Sequence, residues 1–254
     1  MELNNLLLIF VIFNLLIIFF FEKIKFFKIN IDQPDGKRKL HKKPVPLAGG
    51  FIIFSNIIIY FLLAIFEKKL LINEIIFETY RNIIVFFGIT LIIFILGFFD
   101  DRYDISATKK FFILTIILVA ALILDETITI KFINFSFIER QFNLSGYSIL
   151  FTCFCFLVFL NAFNMFDGIN LQSGSYSIVI FLSLLIFHAD SFFFKVMLIS
   201  IICYTLLNSQ NKLFLGDSGT LITSFVIGYI FISLYNQEII SFADEIVLYM
   251  LLPG

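Results

Sequence analysis

Runs of Ile, Leu and Phe at 3–21, 51–66, 82–99, 111–125, 148–164, 175–190, 192–208 and 219–235 dictate what this chain can fold into. A further run begins near residue 244. A helix crossing a bilayer needs about 20 mostly apolar residues, within roughly 17–25. The runs at 51–66 and 175–190 sit at the short end of that range. Too little polar sequence remains to cover so many apolar segments in water. The chain is 60% apolar and 15% charged, against about 45–50% and 25% for soluble domains. A water-soluble globule is excluded. The expected fold is all-α, a polytopic integral membrane protein with about nine transmembrane helices in one domain over residues 1–254.

The first run lacks a basic leader and a small-residue cleavage site, so it reads as a retained span. His188-Ala189-Asp190-Ser191 is the tight turn of a helical hairpin between two later spans. Cys153, Cys155 and Cys203 lie in apolar stretches with no His spaced to join them on a metal, and read as small core residues. Asn14, Ser55, Asn56 and Ser183 read as hydrogen-bonding residues between helices. Lys68, Lys69, Glu74 and Glu78 read as a solvated loop. No P-loop, Ser/His/Asp grouping or nucleic-acid-binding pattern occurs.

Lys and Arg in short loops set orientation. With eight spans before the last run, twelve of the 18 basic residues fall on the face of the first loop, and six on the other. The first loop alone, 22–50, carries Lys23, Lys25, Lys28, Lys37, Arg38, Lys39, Lys42 and Lys43. That face is expected to be cytoplasmic, with the N-terminus outside. Asp100, Asp101, Asp104, Asp167 and Asp217 all map to the same face, each beside a span. Carboxylates at helix ends facing a cationic loop suit a site for a metal and several phosphates.

Four strings carry that chemistry. Asp32 to Gly50 combines the basic cluster and His41 with three prolines and Gly49-Gly50. A bare cluster of this kind binds anionic headgroups, whereas the prolines favour a rigid loop, and the glycines allow close backbone approach. Gly97-Phe98-Phe99-Asp100-Asp101-Arg102-Tyr103-Asp104 places two adjacent carboxylates at headgroup level, where unpaired charges are costly and usually functional. Their side chains point roughly 100° apart on a helix, so one can face a substrate and the other the basic loop. Asn161-Ala162-Phe163-Asn164-Met165-Phe166-Asp167-Gly168-Ile169-Asn170 puts amides on one helix face, with interhelical bonding a credible role for Asn161. Phe214-Leu215-Gly216-Asp217-Ser218-Gly219 sets a carboxylate between glycines at a helix start, whose free N–H groups form a ready anion site.

In order and spacing these strings resemble the polyprenyl-phosphate N-acetylhexosamine-1-phosphate transferases, a family of multi-span enzymes. The resemblance covers nearly the whole chain. It is greatest toward the branch that transfers GlcNAc-1-phosphate from UDP-GlcNAc to undecaprenyl phosphate and so starts a cell-surface glycan. The phospho-MurNAc-pentapeptide branch typically has Lys at the place of Asp104 and Thr-Met-Gly-Gly at the place of Leu47-Ala48-Gly49-Gly50, which makes peptidoglycan precursor synthesis the alternative.

The resemblance implies a bacterial inner-membrane enzyme acting on a UDP-N-acetylhexosamine and a polyprenyl phosphate, using Mg²⁺ or Mn²⁺, with a homodimer open as its assembly. It implies that Asp217 holds the metal, with Asn164 and Asp167 as further candidates. Phe214 stacks on uracil, Asn170 recognises it, and Asn164 and Asp167 line the diphosphate. Asp100 is the base acting on the lipid phosphate, with Asp101 beside it, and Arg38, Lys39 and His41 belong to the basic loop. Two features depart from the family pattern. A glycine expected after Asn170 is missing, and Leu171 follows directly. A late His-rich loop expected after the last run lies beyond Gly254, so the chain reads as incomplete at its C-terminus. A membrane cation transporter and a non-catalytic scaffold are the readings from other classes.

Overall fold

The computed structural model describes residues 3–24, 29–34, 43–67, 74–77, 79–188 and 190–251. Its helices are α1 (Leu3–Phe20), α2 (Gly49–Phe66), α3 (Tyr80–Tyr103), α4 (Ala107–Leu124), α5 (Ser148–Phe166), α6 (Gln172–Phe187), α7 (Phe192–Ser209), α8 (Gly216–Asn236) and α9 (Ala243–Leu251). Among the described residues, seven helical segments are long and apolar enough to cross a membrane, and α6 is a shorter apolar helix. The chain is a polytopic, mostly helical membrane protein. Exposed Leu8, Ile12, Phe19, Ile84, Ile116, Phe154 and Ile186 give the bundle an apolar outer surface. In water this would be a liability; in lipid it is the solvated face.

Two short antiparallel pairs accompany the helices. Ile31–Asp32 (β1) pairs with Val45–Pro46 (β2) and closes the base of the first loop. Phe132–Phe135 (β3) and Ile138–Asn143 (β4) form a hairpin between α4 and α5. Neither stands out in the sequence, because strands of two to six residues leave no alternation long enough to read.

At the centre lies α8. Every residue from Ser218 to Tyr235 is buried, with α2, α3 and α5 packed around it. Lipid tails are as apolar as the side chains, so close packing and hydrogen bonds must hold such helices together. Small residues supply the packing. A Cβ on Gly97 would stand 2.4 Å from the Ser218 Cα, and one on Gly50 would stand 2.6 Å from the Gly219 N. The backbones of α2, α3 and α8 therefore meet around Ser218, the close approach expected of Gly49-Gly50. Phenylalanines fill the wider parts. Phe86 on α3 contacts Phe77, Phe193, Phe225 and Tyr229, with ring centroids 4.9–6.1 Å apart.

Several polar residues inside the bundle are paired. Asn14 and Asn56 exchange amide hydrogen bonds between α1 and α2 at 2.7 and 3.2 Å, as expected. At the end away from the aspartate motifs, Asp125 accepts from Asn82 Nδ2 at 2.7 Å and from the Tyr229 hydroxyl at 2.7 Å. This ties α3 and α8 to the end of α4. Two expectations are corrected. Glu74 is not solvated: it is buried, accepting from Ser191 Oγ at 2.6 Å and from Phe193 N at 2.8 Å. A helix start needs acceptors for its free N–H groups, and Glu74 with Ser191 supplies them to α7. Asn161 does not bond between helices; exposed, it donates to Leu157 O on its own helix at 2.7 Å.

Candidate active site

Four chain segments meet at one end of the bundle: the last turn of α3, the first turn of α4, the last turn of α5 and the first turn of α8. Their carboxylates do different work. Asp101 turns toward α8, where its Oδ1 accepts from Asp217 N at 2.6 Å. Its Oδ2 accepts from Ser218 N at 3.1 Å and Ser218 Oγ at 2.8 Å. The anion expected at this helix start is thus supplied by the protein itself. Gly216 makes it feasible: its φ of +74° suits glycine, and a Cβ there would lie 2.9 Å from both Asp101 oxygens.

Asp100 is buried and points the other way. Its Oδ1 accepts from Ile105 N at 2.8 Å, and its Oδ2 pairs with Lys110 Nζ at 2.5 Å. The same Nζ lies 3.3 Å from Asp217 Oδ1. That oxygen also accepts from Asn164 Nδ2 at 2.6 Å. One ammonium therefore links the carboxylates of α3 and α8, and an amide from α5 completes the group. Sequence reading missed Lys110. A signal existed: Asp100 and Lys110 are equidistant from Ile105, in the short turn between two consecutive helices, so the hairpin sets them face to face.

Asp167 lies just past α5, where its Oδ1 accepts a bond from Ser173 Oγ. Burial pushes its pKa up to about 7; the Ser173 bond opposes that rise and the Asp217 charge adds to it. It is close enough to Asp217 to feel its charge, yet bonds to α6. Asn170 donates to Asn211 Oδ1 and is exposed. Leu171 takes the left-handed backbone at φ 72°. The position where the family pattern has glycine therefore keeps the glycine-like conformation, with a leucine in it. Phe214 is held at the base of the first loop: its N donates to Pro46 O at 2.9 Å, and its O accepts from Gly49 N at 3.0 Å.

The structure thus joins Asn164 to Asp217 directly, Asp100 to Asp217 through Lys110, and Asp101 to the group through the start of α8. Asp167, Asn170 and Phe214 flank them on the loops. Arg38, Lys39 and His41 lie outside the described residues. Among the described residues, no three His, Cys, Asp or Glu side chains gather around one metal position. A cavity of about 620 Å³ runs along α5 from the far end of the bundle, where β3 and α9 line it, to Phe166, the residue before Asp167. Its walls are apolar, with Phe154, Val158 and Ala162 on α5 facing Gly228 and Phe231 on α8.

Comparison with known proteins gives the family. Residues 83–235, which contain all four converging segments, match the model of glycosyl transferase family 4. The undecaprenyl-phosphate alpha-N-acetylglucosaminyl 1-phosphate transferase of Yersinia pestis is 27% identical over 225 residues, covering 84% of this chain and 58% of that protein. The probable undecaprenyl-phosphate N-acetylglucosaminyl 1-phosphate transferase of Bacillus subtilis is 26% identical, covering 78% of this chain and 53% of that protein. The Escherichia coli K12 counterpart of the first is 25% identical, covering 86% and 59%. The chain spans little more than half the length of these relatives. With more than half of its residues inside the family model, the chain belongs to glycosyl transferase family 4.

Proposed function

We propose that this chain carries the catalytic core of a transferase that moves N-acetylhexosamine-1-phosphate, foremost GlcNAc-1-phosphate, from a UDP-sugar to a polyprenyl phosphate such as undecaprenyl phosphate. One observation carries the reading: Asp100, Asn164 and Asp217 converge with Lys110 at the end of a membrane-spanning bundle. The excess of basic residues on that face makes it cytoplasmic, in a bacterial inner membrane, with the N-terminus outside.

In the reaction an oxygen of the lipid phosphate attacks the sugar-bearing phosphorus of the UDP-sugar. The bond from that phosphorus to the bridging oxygen breaks, and UMP leaves with the electron pair. Such transfers ask the protein mainly for positioning and charge compensation. Asp217 fits a hard divalent cation, because its side chain is 29% exposed at the open end of the site and Mg²⁺ needs only one or two carboxylates beside water and phosphate. Mg²⁺ or Mn²⁺ held there, with Asn164 or Asp167 nearby, supplies positive charge to the diphosphate.

Lys110 holds Asp100 and Asp217 in register and contributes a second positive charge. Asp101 fixes the turn from which Asp217 projects. Asp100 takes any residual proton from the lipid phosphate, whose second pKa of about 6 leaves most of it a dianion at neutral pH. Asn170 and Phe214 flank the uridine, and Arg38, Lys39 and His41 add basic charge from the first loop. The apolar cavity along α5 ends beside Asp167 and suits an isoprenoid chain. Transport is the weaker reading, because coupling residues in transporters lie near the bilayer midplane, whereas these carboxylates sit at helix ends. Asp104 and the Leu47-Ala48 phrase weigh against the phospho-MurNAc-pentapeptide substrate.

The test is UMP release by membrane vesicles holding the chain, given UDP-GlcNAc, undecaprenyl phosphate and Mg²⁺. Release that needs both substrates and fails in Asp217→Asn supports the proposal. Release independent of the lipid phosphate would overturn it.

A further inference from the structure

Asn208, in the last turn of α7, is 2% exposed, and both its amide oxygen and its amide nitrogen are engaged. Its Oδ1 accepts from Leu171 N at 2.7 Å, in the loop between α5 and α6. Its Nδ2 donates to Leu213 O at 2.9 Å, in the loop between α7 and α8. The residues next to these contacts are Asn170 and Phe214. A second bridge joins the same loops, from Asn170 Nδ2 to Asn211 Oδ1. Both loops carry a residue in the left-handed region, Leu171 at φ 72° and Asn211 at φ 53°. For leucine that conformation costs about 1–2 kcal/mol, so something must hold it. The bond from Leu171 N to Asn208 does so, and it cannot form if the loop relaxes to an extended backbone.

We propose that Asn208 is a positioning residue that sets the separation between Asn170 and Phe214, and through it the fit of the nucleotide donor. The proposal rests on the reading of Asn170 and Phe214 as uridine contacts. Nothing else need touch the ligand. An amide suits this task because it presents an acceptor oxygen and a donor NH₂ side by side on a short stem. Aspartate keeps the acceptor for Leu171 N but sets a carboxylate against Leu213 O. Alanine removes both ties. Asn211 offers an independent handle, since it is exposed. Glycine there suits the positive φ while deleting only the bridge to Asn170.

The experiment measures retention of radiolabelled UMP by vesicles holding each variant, together with KM for UDP-GlcNAc and for undecaprenyl phosphate. Each lost tie is expected to weaken UMP retention and raise KM for the donor on the order of tenfold, the weight of about one hydrogen bond. Asn208→Ala should exceed Asn208→Asp, and Asn211→Gly should resemble one lost tie. KM for the lipid and kcat should stay within twofold. If Asn208→Ala does not fold, Asn211→Gly carries the test, because it leaves the buried amide in place. Parent vesicles that retain no UMP would remove the uridine reading itself. Parent retention with unchanged donor affinity in both Asn211→Gly and Asn208→Asp would overturn the positioning role alone. A loss confined to kcat or to the lipid KM would overturn it as well.

Discussion

Asp101→Asn keeps the shape of the side chain and removes its charge from the start of α8. In the parent protein one carboxylate accepts three hydrogen bonds, from Asp217 N, Ser218 N and Ser218 Oγ. The asparagine carbonyl can keep the bond from Asp217 N. Its NH₂ then faces Ser218 N–H, donor against donor, and that bond is lost. A hydrogen bond to a charged group contributes about 1.5–3 kcal/mol. A negative charge at a helix N-terminus adds about 0.3–1 kcal/mol, rising to about 2 when partly buried. Together the substitution should cost the first turn of α8 about 2–4 kcal/mol. Amide hydrogen exchange in lipid nanodiscs reads this directly. Protection of Asp217 and Ser218 should fall by about 30-fold to 10³-fold, while that of residues 225–232, deeper in α8, stays near the parent value. Turnover should fall along with it and should not recover as pH rises, because the defect is in the placement of Asp217. Unchanged exchange at residues 216–219, or activity restored at high pH, would refute the assignment.

Five other substitutions, one of them a control, test separate parts of the structure. Asp100→Asn should be most damaging near pH 6 and recover partly toward pH 9, as the lipid phosphate arrives already deprotonated; UMP release across that range decides, and a flat loss would remove the base. Lys110→Gln should lower turnover at least about tenfold and raise Mn²⁺ affinity measured by electron paramagnetic resonance, because Asp100 and Asp217 lose their shared cation. Gly97→Ala should cost about 1–3 kcal/mol or abolish folding, since its Cβ would meet backbone at 2.4 Å; Gly88→Ala, with nothing within 4 Å, should be near neutral in the same thermal melts. Glu74→Gln probes pH-dependent stability. Burial raises the Glu74 pKa to about 7, with its hydrogen bonds from Ser191 and Phe193 opposing the rise. The folded state therefore binds the proton more tightly than the unfolded state, and the parent should lose stability from about pH 4.5 to pH 7. The contribution of Glu74 reaches at most about 3 kcal/mol; melts of Glu74→Gln should depend less steeply on pH over that range, with Asp167 supplying part of the slope that remains.

The spans were legible because each is a nearly unbroken apolar run with no polar face to turn to water, and loop charge then placed five aspartates on one face. That placement brought Asp100, Asp101, Asp167 and Asp217 into one candidate site before any contact was visible. The division of labour between Asp100 and Asp101 was not legible. Adjacent residues on a helix end diverge, but sequence does not say which neighbour each will meet. Lys110 was hidden for a related reason: its partner Asp217 is 107 residues away, and only the packing of α4 against α3, and of α3 against α8, reveals the bridge. Glu74 misled because a charged residue between two spans ordinarily faces water, and its burial depends on the start of α7, more than a hundred residues later.

The burial of α8 bears on how the protein is made. Every other long helix presents part of its surface to lipid; α8 presents almost none. It is also the least hydropathic of the seven long spans, carrying Thr220, Thr223, Ser224 and Ser233. Its predecessors leave the ribosome first and enter the bilayer without the rod that will organise them. The groove that α8 will fill, lined by Gly50 and Gly97, must stay vacant until α8 is synthesised. Membrane insertion of α8 is then better described as docking into protein than as partitioning into lipid. A substitution that crowds that groove would act before any substrate is met, by stranding α8 outside its own bundle.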